Sequence, residues 1–359
     1  TSGNTEFVIG VSGPLTGPAA VYGTAVKNSA QMAVDEINAN GGLNGVKFKL
    51  VATDDTHDAT KVAANYASML EGGMQVSLGA VTTAPGLEFT KLSAEDNVFF
   101  ITPSASGDAI PANDNGFQMC FADGNQGKVA ADYVNSLGLT EIGIFYKSDD
   151  AYSNGIYKQF KENLDSSIKT VEAVFTDTNA TDFSSQITTL KDCKFIFMPI
   201  YYEPATIFLT QAKNTIAADA VYYGCDGFDG LAGQFEDFSV IPQEVSMLSH
   251  FDSNATDGAA GEFIKKYTDK FGTETLNQFG ASAYDCVYAI YEAMKAAVDA
   301  GTEIDVTISA SDLCEILKEQ FTGDFTFSGV TGNNITWEDN GYVAKEAVKY
   351  TLKTANSAQ

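Results

Sequence analysis

Histidine is scarce in this chain: only His57 and His250 occur among 359 residues. A metal site or a histidine-based acid–base centre therefore has few side chains to draw on. The five cysteines, Cys120, Cys193, Cys225, Cys286 and Cys314, are scattered without a close pair. That spacing excludes CxxC zinc sites and thioredoxin-type redox chemistry, and the odd number leaves at least one thiol unpaired. They read as small buried hydrophobes. No GxSxG elbow, phosphate-binding GxxxxGK[ST] loop, HExxH or GxGxxG occurs. The nearest approach, Gly41-Gly42-Leu43-Asn44-Gly45, follows a helical pattern instead of a strand and is a turn. No apolar run reaches the 18 or so residues that cross a bilayer.

Positive charge is also scarce. Twenty-one basic against 47 acidic side chains give a net charge of -26. Such a surface repels phosphate backbones and anionic headgroups, which excludes nucleic-acid and membrane-surface partners. The cluster Asp54-Asp55-Thr56-His57-Asp58 lacks EF-hand spacing, so no metal is expected there. His57 reads as a solvated loop residue and Asp58 as a helix N-cap. The single tryptophan, Trp337, is expected in the core. The opening TSGNTEF has no charged-then-apolar leader and reads as the start of a processed chain whose first residues suit a tether.

What is present is a repeated strand–helix alternation. At this length the chain suits two domains. Phe7–Val11 is an apolar run ending in the breakers Gly13-Pro14-Leu15-Thr16-Gly17-Pro18, a buried strand. Helical spacing from Thr24 to Ala39 stops at Asn40-Gly41-Gly42. Strands follow at 48–51, 76–79 and 98–101, with helices from Asp58 and over 86–95. After Cys120 the alternation restarts, with strands at 142–146, 171–175, 195–198 and 220–223 and helices over 153–164, 182–190 and 205–212. Two consecutive βα series imply two parallel, doubly wound sheets with helices on both faces. Ligands of such sheets sit beyond the C-terminal strand edges. Amphipathic stretches over 257–271 and 278–300 break the rhythm. The last 35 residues return to short strands with turns at Gly329, Gly332 and Asn340-Gly341, which suggests lobes built from discontinuous segments.

The strand FVIGVSGPLTGPAAVYG, the acidic helix ending DEINANGGLNG and a strand ending in Asp-Asp together resemble the leucine/isoleucine/valine-binding protein family. These are the type I periplasmic substrate-binding proteins of ABC importers. The match continues in order through Gly79–Thr83, Ile101–Ser106, Asp150–Gly155, Tyr201–Pro204, Gly224–Gly227, Phe327–Gly332 and Trp337–Gly341. The resemblance implies an α/β fold of two Rossmann-like, doubly wound parallel-sheet lobes joined by three hinge crossings, near 121–123, 250–252 and 328–330. Lobe 1 would be 1–120 plus 251–328; lobe 2 would be 121–250 plus 329–359. It implies no enzyme activity and no cofactor. It also implies a monomer outside the cytoplasm, periplasmic or lipid-anchored at the outer face of the cell membrane, whose partner is a membrane-embedded permease.

The residues that match the family's pocket are Tyr22, Thr82, Thr83, Ser104, Ala105, Ser106, Tyr152, Tyr201, Asp226 and Phe279. On the first lobe, Thr83, Ser104 and Ser106 would hold the ligand carboxylate, because an anion removed from water needs several converging donors. Helix capping alone would also explain a Ser or Thr after a strand. Asp226 would meet the ammonium, where the family more often has the longer Glu; a turn aspartate is the plain alternative. Tyr22, Tyr152, Tyr201 and Phe279 would wall the pocket, or be core. The family's small disulfide in lobe 1 is absent, its positions holding His57 and Thr82. The implied function is capture of a small L-amino acid, branched-chain or otherwise apolar, by lobe closure. Another solute (an aromatic amino acid, an amide or a polyamine) and a receptor's sensing ectodomain are the alternatives.

Overall fold

The computed structural model describes residues 3–356. The chain divides into two compact units, Thr1–Ala122 with His250–Glu346 and Asp123–Ser249 with Ala347–Gln359.

The first unit is built on strands β1 (Phe7–Gly13), β2 (Phe48–Asp54), β3 (Val76–Ala80), β4 (Phe100–Thr102) and β5 (Gly116–Gln118), in the order β2-β1-β3-β4-β5. Every pairing in this sheet is parallel. β1 and β3 are buried along their whole length, as expected of strands covered on both faces. Helices α1 (Ala20–Ala39), α2 (Val62–Glu71) and α3 (Thr83–Asp96) make the crossovers, and α8 (Gly258–Phe271), α9 (Gln278–Asp299) and α10 (Ala310–Phe321) complete the unit. α1 packs against α9. Because the strands are parallel, the loops after β1, β2, β3 and β4 gather on one edge.

The second unit holds α4 (Asp123–Ser136), β6 (Glu141–Lys147), α5 (Ala151–Asn163), β7 (Lys169–Phe175), α6 (Ser184–Leu190), β8 (Phe195–Met198), α7 (Tyr202–Ala212), β9 (Val221–Gly224), β10 (Glu244–Ser249) and β11 (Val348–Lys353). The sheet order is β11-β10-β9-β8-β6-β7. All neighbours are parallel except β11, which runs antiparallel to β10. Phe145 anchors the core against Phe175, Phe183 and Phe208, with centroids 4.4–5.0 Å apart.

The tail departs from expectation. Residues 329–346 pack on the first unit, and the last boundary falls at 346/347, not near 328–330. The cause is apolar burial. Trp337 lies 4.5 Å from the Phe321 ring and donates its indole N–H to the Gln118 carbonyl at 2.8 Å. Trp337 is thus core, as read from the sequence. Several elements also begin earlier or later than their patterns suggest, among them α1 at Ala20, α3 at Thr83, α7 at Tyr202 and β4 at Phe100. All five cysteines are buried thiols. Among the described residues no helix is long and apolar enough to cross a membrane.

Candidate functional site

In the first unit, the strand-edge loops are fixed by short side chains that bond backbone. Asp54 accepts from the N–H groups of Leu15 and Thr56 at 2.9 Å each and from the Thr16 hydroxyl at 2.6 Å, tying the loop after β1 to the end of β2. Asp55 is fully buried and accepts from Ser12 Oγ and the His57 N–H, both at 2.9 Å. Burial raises its carboxyl to about 6 despite those bonds. Asp58 caps the following turn as expected, accepting from the Thr60 N–H. His57 is not simply solvated: it is half-buried and its Nδ1 lies 2.9 Å from Thr82 Oγ1.

Thr83 opens α3 and is 2 % exposed, and its Oγ1 has no hydrogen-bond partner. A buried hydroxyl left unsatisfied has a real cost, so this one is available to a ligand. Thr102 Oγ1 donates to the Ala80 carbonyl and accepts from the Ala105 N–H, both at 2.9 Å. Ser104 Oγ donates to the Val81 carbonyl at 2.6 Å, and the Ala105 carbonyl accepts from Gln118 Nε2 at 3.0 Å. Ser106 is buried in the same loop. Both backbone groups of Ala105 are thus engaged inside the unit, and it acts as support for the loop. Capping explains none of these hydroxyls: Thr82, the residue before α3, makes no side-chain cap bond, and Thr83 lies inside the helix. Tyr22, in the first turn of α1, meets Phe279, in the first turn of α9, edge-on at 4.9 Å and 87°. Asn277 holds these helix starts together, capping α9 through the Gly280 N–H and donating to the Val21 carbonyl.

In the second unit, Tyr152, Tyr201 and Asp226 follow β6, β8 and β9, three adjacent strands, on their C-terminal edge. Asp226 is 2 % exposed. Its Oδ1 accepts from Tyr152 Oη at 2.7 Å, and that same hydroxyl accepts from the Gly227 N–H at 2.9 Å. Tyr201 is half-buried and stacks on Tyr152 with centroids 4.3 Å and planes 11° apart. Among the described residues no lysine or histidine forms an ion pair with Asp226. Burial pushes its carboxyl up to about 6, against the pull of the bonds from Tyr152 and Gln126. The Tyr152 hydroxyl is held well above its ordinary range by burial and the adjacent carboxylate. A turn aspartate would bond only its own turn; this carboxylate also meets a tyrosine from another helix.

The family model for periplasmic binding proteins matches residues 6–350. The chain belongs to that family. This periplasmic binding protein is 28% identical over 317 residues to a Leu/Ile/Val-binding protein of Rhizobium johnstonii, covering 86% of this chain and 84% of the relative. It superposes with a TM-score of 0.79 on the branched-chain amino acid transporter substrate-binding protein LivJ from Streptococcus pneumoniae, solved in complex with isoleucine, at 26% identity over 96% of this chain and all of the other. A solute-binding protein of an ABC transporter from R. palustris, solved in complex with benzoate, shares the fold with a TM-score of 0.81 at 16% identity, over 98% of this chain and 95% of that one.

One polar residue of this binding protein lies against Asp226 that sequence reading did not single out. Gln126, fully buried in the first turn of α4, accepts the Asp226 N–H on Oε1 at 3.0 Å. Its helix begins Asp123-Gly124-Asn125-Gln126-Gly127, and two glycines there mask the apolar spacing of Ala130, Ala131 and Val134 that marks it.

Proposed function

We propose that this chain is the extracytoplasmic solute-binding component of an ABC importer, and that it captures a small apolar L-amino acid by closing its two units around it. It performs no chemistry on the ligand and delivers it, as a monomer, to a membrane-embedded permease. The observation that carries the amino-acid reading is Asp226, a buried carboxylate that pairs with no cation among the described residues. Ionised near neutrality, it lacks the counter-charge that a buried ion needs, and a ligand ammonium would supply it. The opposite end of an amino acid is an anion. The chain contains no arginine, so a carboxylate would be held by hydroxyls and amide N–H groups, for which the unpartnered Thr83 hydroxyl and Ser106 are suited, while Ser104, its hydroxyl proton given to the Val81 carbonyl, shapes the loop beside them. Tyr22, Phe279, Tyr152 and Tyr201 would cover the apolar side chain. An aromatic acid of the benzoate type would leave Asp226 facing a ligand without positive charge, which favours the amino-acid reading.

Thermal melting against the twenty amino acids is expected to show a rise for one or a few. A ligand at a hundred times its dissociation constant adds about 2.7 kcal/mol. No rise with any amino acid, or a rise with benzoate instead, overturns the assignment. Small-angle scattering is expected to show a smaller radius of gyration once that ligand is added, since binding would favour the closed arrangement. An unchanged radius at saturation refutes closure.

A further inference from the structure

We propose that Gln126 is a positioning residue for Asp226, fixing the turn that carries the carboxylate and keeping an amide donor beside it to hold it ionised. This rests on the ligand-binding role given to Asp226 above. Three observations support it. Gln126 Oε1 takes the backbone N–H of Asp226 at 3.0 Å, so the turn after β9 is pinned from α4. The same side chain is fully buried, and its Nε2 has no partner at hydrogen-bonding distance. An amide donor buried without an acceptor is uncommon, yet this one lies near enough to the Asp226 carboxyl to favour its charged form. The third observation is the helix packing that puts it there. A Cβ on Gly127 would come within 2.6 Å of Gln159 Cβ and 2.8 Å of the Phe160 nitrogen on α5. Glycine therefore lets α4 lie directly on α5, the helix that carries Tyr152. Gln126 and Tyr152 thus reach Asp226 from two helices locked together.

Among the described residues no cation pairs with the carboxylate. Tyr152, on the helix after β6, bonds it; Tyr201, just before α7, stacks on Tyr152; Cys225 precedes Asp226, and Asp123 of α4 lies near Cys225. The acidic and phenolic groups among these oppose ionisation of Asp226 when charged. Neutral donors favour it: Tyr152 Oη, which bonds the carboxylate directly, the Gln126 amide beside it, and the backbone N–H groups of Gly227 and Asp226, since donors close to the charged form lower a carboxyl's pKa.

The test uses the full chain without ligand, titrated by carbon NMR of the aspartate carboxyls, with Asp226 assigned by its loss in Asp226→Asn. In Gln126→Leu the Asp226 midpoint is expected to rise by about one pH unit. A merely structural role for Gln126 would lower the melting temperature and leave that midpoint where it was. In parallel, leucine affinity is measured against pH. Gln126→Glu keeps the acceptor for the Asp226 N–H but sets a second carboxylate beside the first, and is expected to bind leucine about tenfold or more weakly at neutral pH. An unmoved midpoint in Gln126→Leu, or wild-type leucine affinity in Gln126→Glu, overturns the proposal. If the midpoint moves but the wild-type chain binds no amino acid, the amino-acid reading falls and the positioning role of Gln126 stands.

Discussion

Asp226→Asn is expected to abolish ligand binding while leaving the ligand-free protein at least as stable as the wild type. The two halves of this outcome have one cause. Asn keeps the shape and can still accept the hydrogen bond from Tyr152 Oη, which lies 2.7 Å from Oδ1. It removes the charge. Breaking one side of a buried ion pair costs roughly 3–5 kcal/mol, or more than about a hundredfold in affinity. In the ligand-free state the sign reverses. Burial raises this carboxyl from 3.8 to about 6 in the folded protein. Between those values the native state binds more protons than the unfolded chain, so stability falls as pH rises through that window. At neutral pH the ionised group opposes folding by about 3 kcal/mol. Asn removes that opposition. Isothermal titration and a melt at pH 7.5 check both halves, and retained affinity, or a marked loss of ligand-free stability, refutes the role.

Asp285→Ala is expected to be the most damaging single change to stability away from the aromatic cores. Asp285 is fully buried on α9 and accepts from the N–H groups of Val330 and Thr331 at 2.8 Å each and from the Thr331 hydroxyl at 2.5 Å. Lys345 Nζ donates to that same hydroxyl at 2.6 Å. Truncation strands two backbone donors and removes the counter-charge of Lys345, which burial already pushes down to about 8. A Cβ on Gly329 would sit 2.2 Å from Asp285 Oδ1, so the chain passes directly over the carboxylate. A loss of about 3–5 kcal/mol is expected, read as a lower urea midpoint at an unchanged slope. A midpoint equal to wild type would show that the 329–331 segment is held by something else.

The sequence made most of the two sheets legible, and physics explains which parts it hid. β1, β3, β6 and β8 are apolar runs because strands of a parallel sheet are covered on both faces. β5 is three residues long and β10 alternates only weakly, so neither stands out by periodicity. α4 begins with glycines whose helical conformation is imposed by packing on α5 rather than by local preference. The turns of 329–346 were visible as turns. Which unit they join was not, because that choice is made by Trp337 entering between Phe321 and the Gln118 carbonyl, a contact spanning more than two hundred residues.

The site divides in the same way. Thr83 and Asp226 could be picked out as polar groups after strands. Their decisive properties, an unsatisfied hydroxyl and a carboxylate that pairs with no cation among the described residues, are absences around a side chain that only three dimensions display. Ala105 reads as a contact in sequence and proves to have both backbone groups spent on its own loop.

The pairing of His57 with Thr82 has a consequence for the surroundings this protein can tolerate. Where the resemblance would place a covalent cross-link, the loops after β2 and β3 meet through the His57–Thr82 hydrogen bond of 2.9 Å. The five thiols are all interior, and no disulfide joins the described residues. Interior thiols in apolar surroundings are poor nucleophiles. Reductants therefore find no bond to cut and mild oxidants no ready sulfur, so the same fold persists whether the medium is oxidising or reducing.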